Sequence, residues 1–114
     1  RLVYCQNCSL SQIDYVVAPE VLYYKEYPYR SGITESLKNN LMAISDKLVD
    51  RLNLKPSDLV IDIGSNDGTI LQGFKNNGIR VLGVEPTNIA NIAIQNGIDT
   101  LNEFFNEELE EDPI

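Results

Sequence analysis

Gly64 and Gly68 enclose Ser65, Asn66 and Asp67 directly behind a short apolar run at residues 59–63. Such a run reads as a buried parallel strand. A strand that turns at once into a helix needs glycine where a side chain would block the backbone. Ligands of the nucleotide type lie across the carboxyl ends of parallel strands. The glycine spacing differs from the dinucleotide fingerprint, and the turn has no triphosphate-loop lysine. A pyrophosphate held on glycines is therefore disfavoured. An adenosyl group with an amino-acid tail suits the turn better. Its ammonium wants a carboxylate or carbonyl, and its ribose hydroxyls want an acidic acceptor.

Glu85 supplies that acceptor. It follows the second apolar run, residues 80–84, and is followed by Pro86. A carboxylate at the tip of the next strand is placed to take both ribose hydroxyls. The plainer alternative makes Glu85 a residue favoured by the dipole at a helix start. Asp62 and Asp67 are candidates for the amino-acid end, although Asp67 also suits a helix cap and Asn66 a simple turn.

A second chemical feature is Cys5-Gln-Asn-Cys8. Two thiols at this spacing serve a redox pair or half of a zinc site. The redox reading wants a helix starting at the first cysteine, and residues 9–12 start a helix poorly. A zinc knuckle fits better, because two thiolates can grip one ion from a tight turn. A closed zinc site needs four ligands, and the chain has only these two cysteines and no histidine. Two free thiols remain the simplest alternative.

Periodicity supplies the elements that position these groups. Residues 33–53 read as a helix capped by Thr34, with Leu37, Leu41, Ile44, Leu48 and Leu52 as its apolar stripe. Strands are expected at 59–63, 80–84 and 98–101. Helices are expected at 69–76, with Ile70, Leu71 and Phe74 facing the sheet, and at 88–95. A short helix is expected from Pro19 to about Tyr24, a short strand at Leu2-Val3-Tyr4, and a last turn or short helix from Phe104-Phe105. An acidic, solvated end follows at 107–112. The alternation predicts an α/β fold with a parallel sheet and right-handed crossovers. Two or three strands fall short of the usual four to six, so the sheet reads as truncated. The predicted domains are a small polar-aromatic module at 1–32 and a Rossmann-like unit at 33–114. All six tyrosines, at 4, 15, 23, 24, 27 and 29, fall in the first.

The bulk numbers exclude some classes. The 114 residues carry a net charge of -8, from 9 basic and 17 acidic residues. Such a surface repels phosphate backbones, so nucleic acid is not an expected partner. No run approaches the roughly 20 apolar residues of a membrane span, and no signal peptide is visible. The expected address is cytoplasmic.

These residues together resemble the bacterial sugar C-methyltransferases that act on nucleotide-linked deoxysugars with S-adenosylmethionine. The resemblance runs over nearly the whole chain. It rests on Cys5-x-x-Cys8 with Leu10 and Gln12, Tyr27-Pro-Tyr-Arg-Ser31, and Val60-x-Asp-Ile-Gly-Ser-Asn-Asp-Gly-Thr69. It continues through Val81-Leu-Gly-Val-Glu-Pro86, Asn88-Ile-Ala90, Gly97-Ile98 and Phe104-Phe105. The glycine turn alone would say only methyltransferase.

The resemblance implies that Cys5 and Cys8 are one of two cysteine pairs holding a zinc ion. It assigns the cofactor to Asp62, Gly64, Ser65, Asn66, Asp67, Gly68, Glu85 and Pro86. It places Tyr27 or Tyr29 in a catalytic position beside a nucleotide-sugar substrate, with Arg30 and Ser31 lining the same pocket. It also implies that the family's catalytic glutamate and histidine lie beyond Ile114, so that this stretch alone is inactive. The plainer reading of the tyrosines is packing between modules. The competing functions are a methyltransferase of this fold for another small molecule, a nicotinamide dehydrogenase segment, and a non-enzymatic zinc-containing interaction module.

Overall fold

The computed structural model describes residues 1–24 and 26–107. Two strands come first, β1 (Leu2–Tyr4) and β2 (Ser11–Ile13), paired antiparallel as a hairpin. A single-turn helix α1 (Pro19–Leu22) follows, with proline in its first turn, where a missing N–H costs nothing. The remainder alternates: α2 (Glu35–Leu52), β3 (Leu59–Ile63), α3 (Thr69–Asn76), β4 (Arg80–Val84), α4 (Ala90–Gln95) and β5 (Thr100–Leu101).

The last three strands form one parallel sheet in the order β3-β4-β5. Two right-handed crossovers advancing in the same direction put both helices on one face. The core confirms this placement. Leu71 of α3, Ala93 of α4 and Ile98 form its fully buried centre, and Val60 and Val81 pack against it from the sheet. Side chains alternate along a strand, so Ile61 and Ile63 take the opposite face, where they are 45% and 57% exposed. This α/β arrangement is consistent with the Rossmann-like sheet expected from the sequence.

α2 packs against α3 through a contact of small residues. Ser45 is fully buried. Its hydroxyl donates to the Ile70 carbonyl at 2.8 Å and the Leu41 carbonyl at 3.1 Å. Opposite it stands Gly73, where a Cβ would come within 2.5 Å of Ser45 Oγ. The expected stripe is therefore displaced. Leu37, Leu41 and Leu48 are half-buried, while Ile44 and Leu52 are exposed. The axis of contact runs through a serine, which a count of apolar positions passes over. Thr34 does cap α2, accepting the Leu37 N–H.

Other boundaries differ by a residue or two. α4 begins at Ala90 because Asn88 and Ile89 are spent in a turn, in which the Ile89 N–H donates to Thr87 Oγ1. β5 starts at Thr100 because Ile98 closes the end of α4, its N–H donating to Ala93 O. Phe104 and Phe105 lie in neither helix nor strand, and the chain turns just after them, with a bend at Asn106 and 3₁₀ geometry at Glu107. Of the acidic end only Glu107 is described, and residues 108–112 lie outside the described residues. Among the described residues no helix is long and apolar enough to cross a membrane.

Candidate functional site

The site grows from the carboxyl ends of the three parallel strands. Behind β3, the Gly64 and Ser65 N–H groups both donate to Val84 O, at 2.8 and 3.1 Å. These bonds fold the turn over the tip of β4. Gly68 closes the turn with a φ of 74°, and a Cβ there would stand 3.1 Å from both Ala93 and Ile98. Glycine is favoured by the angle, and the space left for a side chain is tight.

Behind β4, Glu85 is 5% exposed. Its Oε2 accepts the Asn66 N–H and its Oε1 the Thr87 N–H, each at 2.9 Å. Its own carbonyl accepts from the Asn102 amide, which also donates to Thr87 O. The carboxylate is thus fixed by main-chain donors, and each oxygen keeps a lone pair for another donor. The alternative role at a helix start does not apply, since α4 begins only at Ala90.

Asn66 sits in the left-handed region with a φ of 52°. Its side-chain amide bridges Tyr29 and Ser31, accepting from the Ser31 N–H at 2.8 Å and donating to Tyr29 O at 3.1 Å. Asp67 is engaged on both oxygens. Oδ1 accepts from the Thr69 hydroxyl and N–H, and Oδ2 from the Gly32 N–H at 2.8 Å. Arg30 Nε approaches the same Oδ2 at 3.8 Å. Asn88 Oδ1 accepts the Tyr27 N–H.

A cavity of about 470 Å³ opens between these groups. Its apolar wall is made by Ile63, Val84, Pro86, Phe104 and Phe105, and its aromatic wall by Tyr23, Tyr27 and Tyr29, with Pro19 beside them. Ser31, Gly64, Asn66 and Glu85 complete it. An apolar slot with a few convergent polar groups is the usual form of a small-molecule site. The arrangement can take a flat aromatic ring in the slot and a diol on Glu85.

Of the residues singled out from the sequence, Tyr27, Tyr29, Gly64, Asn66, Glu85 and Pro86 line this cavity, and Asp62, Ser65, Asp67 and Gly68 do not. Ser65 is buried, packed where a Cβ on Gly83 would have to be. Asp67 and Gly68 line a smaller cavity beside α2 and α3. Asp62 follows Val60 on the helix-bearing face of β3. Burial, and next the charge of Glu85, raise its carboxyl above the usual range. Tyr27 also packs edgewise on its neighbours, with ring centroids 5.9 Å from Tyr23 and 6.4 Å from Tyr24. It therefore serves both packing and lining. Phe104 and Phe105 were missed as site residues. Their signal was position, because they follow the third strand where the loops of such a sheet converge.

Cys5 and Cys8 lie in the turn of the β1–β2 hairpin, outside the cavity. The backbone amides of Cys8 and Asn7 lower the Cys5 thiol below its ordinary value, with a further contribution from the Cys8 thiol. Among the described residues no three or more metal-ligating side chains come together.

No family model matches the chain. Over 112 residues it is 34% identical to the C-methyltransferase NovU of Streptomyces niveus. The alignment takes in 97% of the chain and 26% of that protein, so the chain spans about a quarter of the length of the curated relative it matches. The likeness, over nearly every residue of the chain, is to a methyltransferase.

Proposed function

We propose that the chain forms the S-adenosylmethionine side of a methyltransferase that methylates a carbon of a nucleotide-linked deoxy-keto sugar. The observation that carries the cofactor reading is the buried Glu85 carboxylate, fixed by two main-chain amides at the wall of an apolar-aromatic cavity. The resemblance to sugar C-methyltransferases supports the acceptor class.

The residues present fit the cofactor. Glu85 takes the ribose hydroxyls, and the slot of Val84, Pro86, Phe104 and Phe105 takes the adenine. Gly64 brings the backbone close without a side chain. Bound S-adenosylmethionine supplies an electrophilic methyl group. The tyrosines across the cavity work on the acceptor. A hydroxyl of Tyr27 or Tyr29 donates to a keto oxygen, where negative charge develops as an adjacent C–H gives its proton to a general base supplied by residues outside this lining. Among the described lining residues the ionisable groups are Glu85 and the three tyrosines. This part of the site therefore binds, orients and stabilises charge.

The deciding measurement is calorimetry on the full-length protein with S-adenosylhomocysteine and with NAD. The expected result is binding of the first; binding of NAD alone overturns the reading. The module at 1–32 is read as the acceptor side, and the unit at 33–114 as the cofactor side. In the hairpin turn, two neighbouring thiols, with main-chain amides directed at that of Cys5, suit half of a zinc site, with two further ligands from other residues. Metal analysis of Cys5→Ser and Cys8→Ser should show zinc lost; stoichiometric zinc in both variants refutes the assignment.

A further inference from the structure

Three side chains from two different loops hold one short segment by its backbone. Asn66 and Asp67, in the turn after β3, take the Ser31 and Gly32 N–H groups, and Asn66 also donates to Tyr29 O. Asn88, in the turn after β4, takes the Tyr27 N–H. The segment contains no helix or strand of its own, so these bonds substitute for secondary structure. They use only its main chain, which leaves the Tyr27 and Tyr29 rings in the cavity wall. Asn66 has a further connection. Its own N–H donates to Glu85 Oε2 at 2.9 Å. One residue thus joins the buried acceptor of the cavity to the aromatic wall facing it, in a backbone conformation that non-glycine residues seldom adopt.

We propose that Asn66 is a positioning residue that couples the two sides of the cavity, so that a diol ligand on Glu85 orders the tyrosine segment before an acceptor arrives. The proposal rests on the cofactor reading above. A diol donating to Glu85 reinforces a carboxylate that two main-chain amides already hold, the carboxylate in turn steadies the Asn66 backbone, and the Asn66 amide steadies Tyr29 and Ser31. A ligand that binds second then meets a wall already ordered, and such sharing of an ordering cost is positive cooperativity.

The discriminating variant is Asn66→Gly. Glycine accepts the positive φ and retains the backbone N–H toward Glu85, so the side-chain latch is removed while that bond can still form. Amide hydrogen exchange over 27–32 is followed in the full-length protein, with and without saturating S-adenosylhomocysteine. Without ligand, exchange in the variant should be roughly fivefold faster or more, as expected for the loss of one or two hydrogen bonds. With ligand, the wild-type segment should gain protection that the variant does not. Asn88→Ala gives an independent check: it should speed exchange at Tyr27 while leaving the ligand-induced protection of Ser31 in place. Equal exchange in wild type and Asn66→Gly without ligand overturns the latch. Equal ligand-induced protection in both overturns the coupling. If calorimetry shows no binding of S-adenosylhomocysteine to the wild type, the cofactor reading and the coupling both fall, and the ligand-free comparison still decides the latch.

Discussion

Glu85 holds its charge where little water reaches it, and two backbone amides hold it in return. Hydrogen bonds to a charged acceptor are about twice as strong as neutral ones. Glu85→Gln should therefore lower the affinity for S-adenosylhomocysteine by about tenfold or more, read by calorimetry. An unchanged affinity would remove Glu85 from the site. Asp62 behaves differently. Among the described residues its carboxylate takes no hydrogen bond, and burial together with Glu85 raises its pKa. A carboxyl whose folded pKa exceeds the unfolded one favours the folded state least when ionised. Its penalty grows as pH rises through the unfolded pKa and is complete above the folded one. Asp62→Asn should thus raise the melting temperature at neutral pH, with the gain shrinking to nothing in acid. A gain that grew in acid would contradict the assignment. The place of Glu85 in the cavity wall was legible from position alone, since it is the acid that follows the second strand. The roles of Asn66 and Asp67 were not. Their partners lie 35 to 37 residues away, and no local pattern announces a side chain that bonds to a distant backbone.

At the level of elements, the α2–α3 contact depends on having almost nothing between the helices. A methyl group on Gly73 would meet Ser45 Oγ at 2.5 Å and Ser45 Cβ at 2.7 Å. Gly73→Ala should destabilise the protein by about 1–3 kcal/mol, the usual cost of overpacking, despite alanine's better helix propensity. Denaturant unfolding measures this, and a stabilised variant would show that the helices are free to separate. The sequence disclosed most of the elements because their periods are plain: five residues of strand, a glycine turn, and a helix with Leu71 and Phe74 inward. It misplaced the side on which α2 is covered, because Ser45 earns its burial through a bond to the Ile70 carbonyl rather than through hydrophobicity. The early start expected for α4 failed for a similar reason, as the Thr87 hydroxyl accepts the Ile89 N–H and holds that stretch as a turn.

Across the whole molecule the core lies on one side of the sheet. Leu71 is fully buried, whereas Ile63, on the other face, is 57% exposed. Leu71→Ala should cost about 2–5 kcal/mol, and Ile63→Ala less than about 1 kcal/mol. Equal losses in equilibrium unfolding would mean that the second face is covered in solution. The hairpin shows a similar asymmetry. Leu2, Ile13 and Val16 are 78%, 70% and 90% exposed, so the first residues contribute little apolar burial, whereas the tyrosine segment is tied down by Asn66, Asp67 and Asn88. The clustering of tyrosines there has an optical consequence. The chain has no tryptophan, and its six tyrosines all stand between residues 4 and 29. Three of them, Tyr23, Tyr27 and Tyr29, stand in the cavity wall, so part of the tyrosine emission of this stretch of polypeptide comes from that wall. A ligand that enters this cavity should therefore change the tyrosine emission, since those rings border the space it would fill.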